Sequence, residues 1–276
     1  MTKVSIIIPC YNGGDMVQTA VASALSQSHP QTEVVVVDDG STDLETLRAL
    51  DRTEIVGGAR VIRQSNIGLS GARNRGIEES TGDFILPLDH DDEIHADYAA
   101  KAARVLDAQP DVAIVYARAE RFGATTGEWD LPEFSMTAML ARNVIHACAM
   151  FRRSDWRAVG GYSQELRRGY EDYDFWLKLL GLGRDVVRID EILFRYRDTG
   201  RSMASAMTHQ DRVEAFAHIF AMNSSLYVQH ADAFAEVLVG QQQQWDMLAH
   251  FKRRYGRVED AISRIGAWHK RRAGRS

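Results

Sequence analysis

Cysteine is scarce in this chain: two in 276 residues, Cys10 and Cys148. That is too few for a disulfide framework or a cysteine-based zinc site. Long apolar runs are missing too, since none approaches the ~18 residues needed to span a bilayer. Met1-Thr2-Lys3 leads straight into a short strand, so no secretory leader is expected. Positive charge is not in excess either, with 33 Lys and Arg against 38 Asp and Glu and a formal net charge of -5, which argues against general nucleic-acid binding. No segment repeats. These absences lead us to expect a reduced, cytoplasmic protein. With 45% hydrophobic residues over 276 positions, it can bury a substantial core as one domain with an appendage.

What is present gathers at the ends of apolar runs. Phe84-Ile85-Leu86 is followed by Leu88-Asp89-His90-Asp91-Asp92. Such a strand end would put hard oxygen ligands at the carboxyl edge of a sheet, where open α/β folds bind ligands and a metal holding a diphosphate would sit. A solvated acidic loop leading into a helix has the same composition. Near the start, Val4-Ser5-Ile6-Ile7-Ile8 ends at Pro9-Cys10-Tyr11-Asn12-Gly13-Gly14, and Val17, Ala20, Val21, Ala24 and Leu25 then recur at helical spacing. Val34-Val35-Val36-Val37 reads as a strand buried on both faces and leads into Asp38-Asp39-Gly40-Ser41-Thr42-Asp43, where Thr42 and Glu45 can form a capping box. Asn66-Ile67-Gly68-Leu69-Ser70-Gly71-Ala72-Arg73-Asn74-Arg75-Gly76 sets glycines and two arginines at the head of a helix, a pattern that suits an anion or a plain loop-to-helix turn.

Taken in order, SIIIPCYNGG, VVVVDDGSTD, NIGLSGARNRGI, GDFILPLDHDD and GGYSQELRRGYEDYDFWLKL resemble the family 2 glycosyltransferases, inverting enzymes of the GT-A fold that use nucleotide sugars. The likeness covers roughly residues 3–205. It implies an α/β, doubly wound nucleotide-binding domain and a hexosyltransferase-like activity. The sugar would pass from a nucleoside-diphosphate sugar, a UDP-sugar first, to a hydroxyl on a saccharide, lipid-linked or other acceptor, in cell-surface polysaccharide or glycoconjugate synthesis. A divalent metal, Mn²⁺ or Mg²⁺, would neutralise the departing diphosphate. A sugar nucleotidyltransferase and a non-catalytic nucleotide-sugar binding module are the rival readings.

The same resemblance distributes roles. Asp91 matches the last Asp of the DXD motif and is the expected metal ligand, with Asp89 reaching the ribose or the metal through water. Pro9, Tyr11, Asn12 and Asp39 belong to the nucleoside pocket, where Tyr11 can offer a flat face and Asp39 can accept from a uracil ring N–H. Asn66 is placed with the nucleotide sugar, and Arg73 with the diphosphate or base. In Gly169-Tyr170-Glu171-Asp172, Asp172 is the expected general base and Glu171 its acceptor-orienting partner; inversion needs only one such base. Asp92 is read as supporting the site or capping a helix, His90 as a spacer facing away, Asp38 as an acceptor for loop amides, Arg75 as solvated, Asp174 as a capping or supporting group, and Met203 and Met207 as packing residues. Where the family often has His after Tyr-Arg, Tyr196-Arg197-Asp198 is followed by Thr199, which leaves the last metal ligand open.

The expected organisation is a domain over residues 1–205, with a nucleotide-sugar half at 1–117 and an acceptor half at 118–205, then a helical extension at 206–276. Residues 118–145 read as a long loop with a short helix around Thr137-Ala141. Gln241 to Gln244 read as an exposed helix face. After His250 basic residues crowd a potentially amphipathic end, which fits an anionic membrane surface, a terminal helix packed on its own domain, or a dimer contact.

Overall fold

In the computed structural model the apolar runs become neighbours in one sheet; residues 2–200 and 203–250 are described. Strands β1 (Val4–Cys10), β2 (Thr32–Asp38), β3 (Ala59–Arg63) and β4 (Phe84–Pro87) lie parallel in the order β3-β2-β1-β4. Every residue of β1 and β4 is buried, as both-face burial requires of strands with no polar alternation. Helices α1 (Met16–Leu25), α2 (Leu44–Val56) and α3 (Leu69–Glu79) make the crossovers. Gly76 on α3 is where the helix meets the sheet most closely, since a Cβ there would come 2.4 Å from Ile7.

Past β4 the sheet turns mixed. β8 (Met150–Arg152) runs antiparallel to both β4 and β6 (Val112–Gly123), β9 (Asp185–Asp198) is parallel to β6, and β5 (Glu93–Ile94) is antiparallel to β9. β7 (Gly127–Trp129) folds back on β6. The loop expected over 118–145 is therefore strand as far as Gly123, then β7, then α5 (Met136–Ala141). The division expected at 117/118 falls inside β6. Pairing with β9 from Ala119↔Phe194 to Gly123↔Asp198 supplies a ladder that no local pattern announces. At α2 the cap is Asp43, accepting from the Thr46 amide at 2.8 Å, and not Thr42, because the Thr42 amide is held by Asn12 Oδ1 at 2.8 Å.

Helices α4 (Tyr98–Ala108) and α6 (Arg153–Ala158) flank the second half of the sheet, and α7 (Glu171–Leu180) packs Phe175 and Trp176 on Phe151, at 4.9 and 5.9 Å between ring centres. Among the described residues the first compact unit ends at Gln229, and a second begins at His230. Helices α8 (His209–Met222) and α9 (Ser224–Gln229), expected in an extension beginning at 206, thus fall in the first unit. The reason is a buried polar joint: Asp174, fully buried on α7, accepts from Asn223 Nδ2 at 2.9 Å and Ser163 Oγ at 2.6 Å and pairs with Lys178 at 2.7 Å. Asp174 is a supporting group, as its sequence suggested. Residues 231–250 are helical and expose Gln241 to Gln244. The basic tail lies outside the described residues, and with it every expectation placed there. Among the described residues no helix is long and apolar enough to cross a membrane.

Candidate active site

The carboxyl ends of β1, β2 and β4 open on a cavity of about 720 Å³, within the roughly 300–1,000 Å³ usual for small-molecule sites. Pro9, Tyr11, Asp39, Asn66, Asp89 and Asp91 line it from these strand ends and the loop before α3, and Glu171 and Asp172 line it from the head of α7. Eight of the ten residues singled out from sequence therefore share one cavity. Asn12 and Arg73 do not line it.

Asn12 works on the backbone. It adopts a left-handed φ of 51°, which Asn tolerates, and its Oδ1 accepts from the amides of Thr42 at 2.8 Å and Asp43 at 3.2 Å. Asp38 accepts from the Ser41 amide at 2.9 Å, the loop role expected of it. Asp39 accepts from Gln64 Nε2 at 2.8 Å and from the amides of Ile67 at 2.9 Å and Gly68 at 2.8 Å, which fixes the approach to α3. A carboxylate has about four lone-pair sites, so one remains. Gly40, at φ 75°, allows this turn: a Cβ there would sit 2.8 Å from the Asn66 amide nitrogen. Tyr11 keeps 47% of its surface exposed, leaving its ring open to a flat partner.

Arg73 corrects an expectation. Its side chain is 1% exposed, and it donates from one terminal nitrogen to Asp89 and from the other to Glu171, each at 2.6 Å. A guanidinium so buried and so occupied does not reach a diphosphate. It joins the acidic strand end to the acidic head of α7, two motifs 82 residues apart by number. Arg75, by contrast, is half exposed and pairs with Glu79 at 2.8 Å, as a surface residue.

The remaining acids differ in what they are given. Asp92 is buried, pushed above the usual carboxylate range by that burial and by Asp89 and Asp91, and accepts from the Arg197 amide at 2.8 Å; its role is support. Asp91 lines the cavity with its pKa raised, chiefly by desolvation, while His90 counteracts and Asp89 adds to the rise. His90 does not face away: it lines the cavity, and its ring lies over Gly13 so closely that a Cβ there would meet it at 2.3 Å. Met203 also lines the cavity and is 48% exposed, so it is not a packing residue; Met207 is buried. Thr199 lines the cavity as well.

At the head of α7, Tyr170 is held at a left-handed φ of 66°, a conformation that persists only where surroundings over-determine it; its ring packs edge-on to Phe216 at 5.1 Å. Asp172 follows two residues later, in the first turn of α7. It accepts from Asn143 Nδ2 at 2.9 Å and from the Tyr173 amide at 2.8 Å. Desolvation first, then the Glu171 carboxylate, raise its pKa to about 7 against the opposing pull of Arg73. A carboxylate poised there can take a proton at neutral pH.

The site has parts the sequence reading passed over. Asn143, Ile145, His146 and Ala147 line one stretch of wall, and Trp129 and Tyr196, their rings 4.8 Å apart, line another. Their signal is tertiary; of these residues only Tyr196 stands in a motif the sequence marked, the Tyr-Arg pair before Thr199.

Asp91 and Asp89 fit a divalent cation. Asp91 presents a desolvated carboxylate whose ionisation an adjacent cation would favour, and Asp89 gives Arg73 one oxygen only. Among the described residues no group of three or more His, Cys, Asp or Glu is set as a ready ligand cage. That fits a metal bound through one or two carboxylates and completed by phosphate oxygens and water.

Comparisons with known proteins bear on the family and the fold. A chondroitin synthase from Pasteurella multocida is 29% identical over 188 residues, 66% of this chain but 19% of that protein. An uncharacterized glycosyltransferase from Haemophilus influenzae is 32% identical over 185 residues, 64% of this chain and 61% of that one. The chain matches only 27% of the length of the Escherichia coli glycosyltransferase YibD. Among solved structures, S. aureus TarS 1-349 in complex with UDP-GlcNAc superposes with a TM-score of 0.67 at 23% identity, covering 80% of this chain and 66% of that one. The mannosyltransferase PcManGT from Pyrobaculum calidifontis, in complex with GDP-Man and Mn²⁺, gives 0.62 at 18% identity over 92% and 80%. These likenesses identify the fold as GT-A. The model of Glycosyl transferase family 2 matches residues 5–160, more than half the sequence, and the chain belongs to that family.

Proposed function

We propose that this chain is a metal-dependent inverting glycosyltransferase that moves a sugar from a UDP-sugar to a hydroxyl of a saccharide or lipid-linked acceptor, in cell-surface polysaccharide or glycoconjugate synthesis at the cytoplasmic side. The observation that carries the reading is Asp172: one carboxylate on the cavity wall, with a pKa raised to about 7 and a side-chain amide from Asn143 holding it. Asp172 takes the proton of the acceptor hydroxyl as that oxygen forms its bond to the anomeric carbon. The bond from that carbon to the diphosphate breaks on the opposite side, and configuration inverts. Glu171, braced by Arg73, orients the acceptor.

On the donor side, Tyr11 stacks on the base and the free site of Asp39 accepts a ring N–H. A cation held by Asp91, with Asp89 beside it, would offset the charge gathering on the departing diphosphate. TarS, named with UDP-GlcNAc, supports a uridine donor, and PcManGT, named with GDP-Man and Mn²⁺, supports the metal. The test is transfer from UDP-GlcNAc, UDP-glucose and UDP-galactose to saccharides with Mn²⁺, with the product anomer read by NMR. An inverted linkage that disappears on chelation is expected; a retained linkage, or turnover indifferent to chelator, would contradict the reading.

A further inference from the structure

One cavity group has no task in this mechanism. His146 is 3% exposed. Its ring is clamped between Phe194, stacked at 4.5 Å, and Tyr116, edge-on at 5.9 Å. Nε2 lies 2.9 Å from the carbonyl oxygen of Ala117. A carbonyl can only accept, so Nε2 carries the hydrogen, and in a neutral imidazole the other nitrogen is then a lone-pair acceptor. Burial lowers the pKa to about 4, which keeps the ring neutral where the enzyme would work. Nδ1, the acceptor, is buried without a hydrogen-bond partner. Buried acceptors in native proteins are nearly always paired, because an unpaired one costs free energy.

The residue lines the cavity from the segment that also supplies Asn143, whose amide holds Asp172. Three residues of chain reach at most about 10 Å, so the backbone of His146 lies within that distance of Asn143, and both line the same cavity. The partner must be a donor. Phosphate oxygens offer none, and a metal would need further ligands, whereas no group of three candidate ligands occurs among the described residues. Sugar hydroxyls are donors.

We propose that His146 is a sugar-recognition residue, its Nδ1 accepting a hydrogen bond from a hydroxyl of a saccharide seated in the cavity. The inference rests on the glycosyltransferase reading and names a contact within it. The hydroxyl belongs to either the donor sugar or the acceptor sugar, and the experiment separates the two.

Two variants divide the imidazole. In His146→Gln the amide nitrogen can take the place of Nε2 and keep the Ala117 contact while the acceptor is lost; in His146→Asn the amide oxygen takes the place of Nδ1 while the Ala117 contact is lost. Calorimetry with Mn²⁺ compares UDP with UDP-GlcNAc, UDP-glucose and UDP-galactose, and transfer assays give KM for methyl glycosides. H146Q should lose up to about tenfold in nucleotide-sugar affinity if the donor is read, or in glycoside KM if the acceptor is, with UDP affinity unchanged. H146N should stay within about threefold of the parent on that same arm. The parent, labelled with ¹⁵N-histidine, should show its Nδ1 resonance shift on addition of the sugar concerned. An H146N variant worse than H146Q, an H146Q variant equal to the parent on both arms, or an Nδ1 resonance unmoved by every sugar overturns the proposal. A parent that binds these sugars, with the shift, yet transfers none would defeat the functional reading alone.

Discussion

The two sides of the cavity treat their carboxylates in opposite ways. On the edge formed by β1 and β2, acids and amides hold loops: Asp39 receives the amides of Ile67 and Gly68 and the side chain of Gln64, and Asn12 and Asp38 hold the amides of 41–43. At the acidic strand end and the head of α7, Asp91 and Asp172 are desolvated and raised instead. A carboxylate given several donors chiefly holds a loop and stays ionised; one left desolvated keeps its capacity for a cation or a proton. Arg73 marks the seam, buried between the two acidic motifs with one terminal nitrogen on each.

That contrast fails first if Asp172 proves structural. Asp172→Asn should lower turnover by roughly 10²–10⁴ while UDP binding persists. Its melting temperature should not fall at neutral pH. A buried carboxyl with a raised pKa favours the folded state only while protonated, so the parent loses stability as pH climbs from its ordinary range through about 7, and Asn does not. The gain of the variant over the parent should therefore grow between pH 4 and 7 in thermal melts.

Arg73→Met is the converse case. Removing one partner from a buried ion group leaves uncompensated charge, and a loss of about 3–5 kcal/mol in urea unfolding is expected. A loss under about 1 kcal/mol would place Arg73 among exposed pairs and dissolve the seam.

Asp91→Asn should again leave the fold intact and act on the ligand. Loss even of groups that only support a metal ligand costs about 10–100-fold, and loss of the ligand should cost no less. Titration of UDP with and without Mn²⁺ reads this directly; an unchanged gain from Mn²⁺ would move the metal elsewhere. The smallest effect belongs to Tyr11→Ala, about 0.5–1.5 kcal/mol in UDP affinity from a lost stack on an exposed ring. No change there would mean that the base lies off Tyr11.

The strand ends were legible because burial on both faces leaves a nearly continuous apolar word, and the polar text after it must lie at the sheet edge. Pro9, Tyr11, Asp39, Asn66, Asp89, Asp91, Glu171 and Asp172 are singled out in this way and by resemblance, and they line one cavity. Arg73 was misread because an arginine at a helix head has the same letters whether it meets a ligand or two carboxylates. His146 and Asn143 were invisible because their meaning lies in a carbonyl of β6 and a carboxylate of α7, each 29 positions away. The extension of β6 past 117 was missed for a like reason, since its partner strand begins at Asp185.

The central claim, that Asp172 is a base held near neutrality by burial and by Glu171, is tested most directly by the pH dependence of kcat/KM for the donor, which reports the free enzyme. The prediction is a rise of about tenfold per pH unit up to about 7 and a plateau above, since only the ionised carboxyl accepts a proton. A profile flat from pH 5 to 9, with the metal kept saturating, would contradict it.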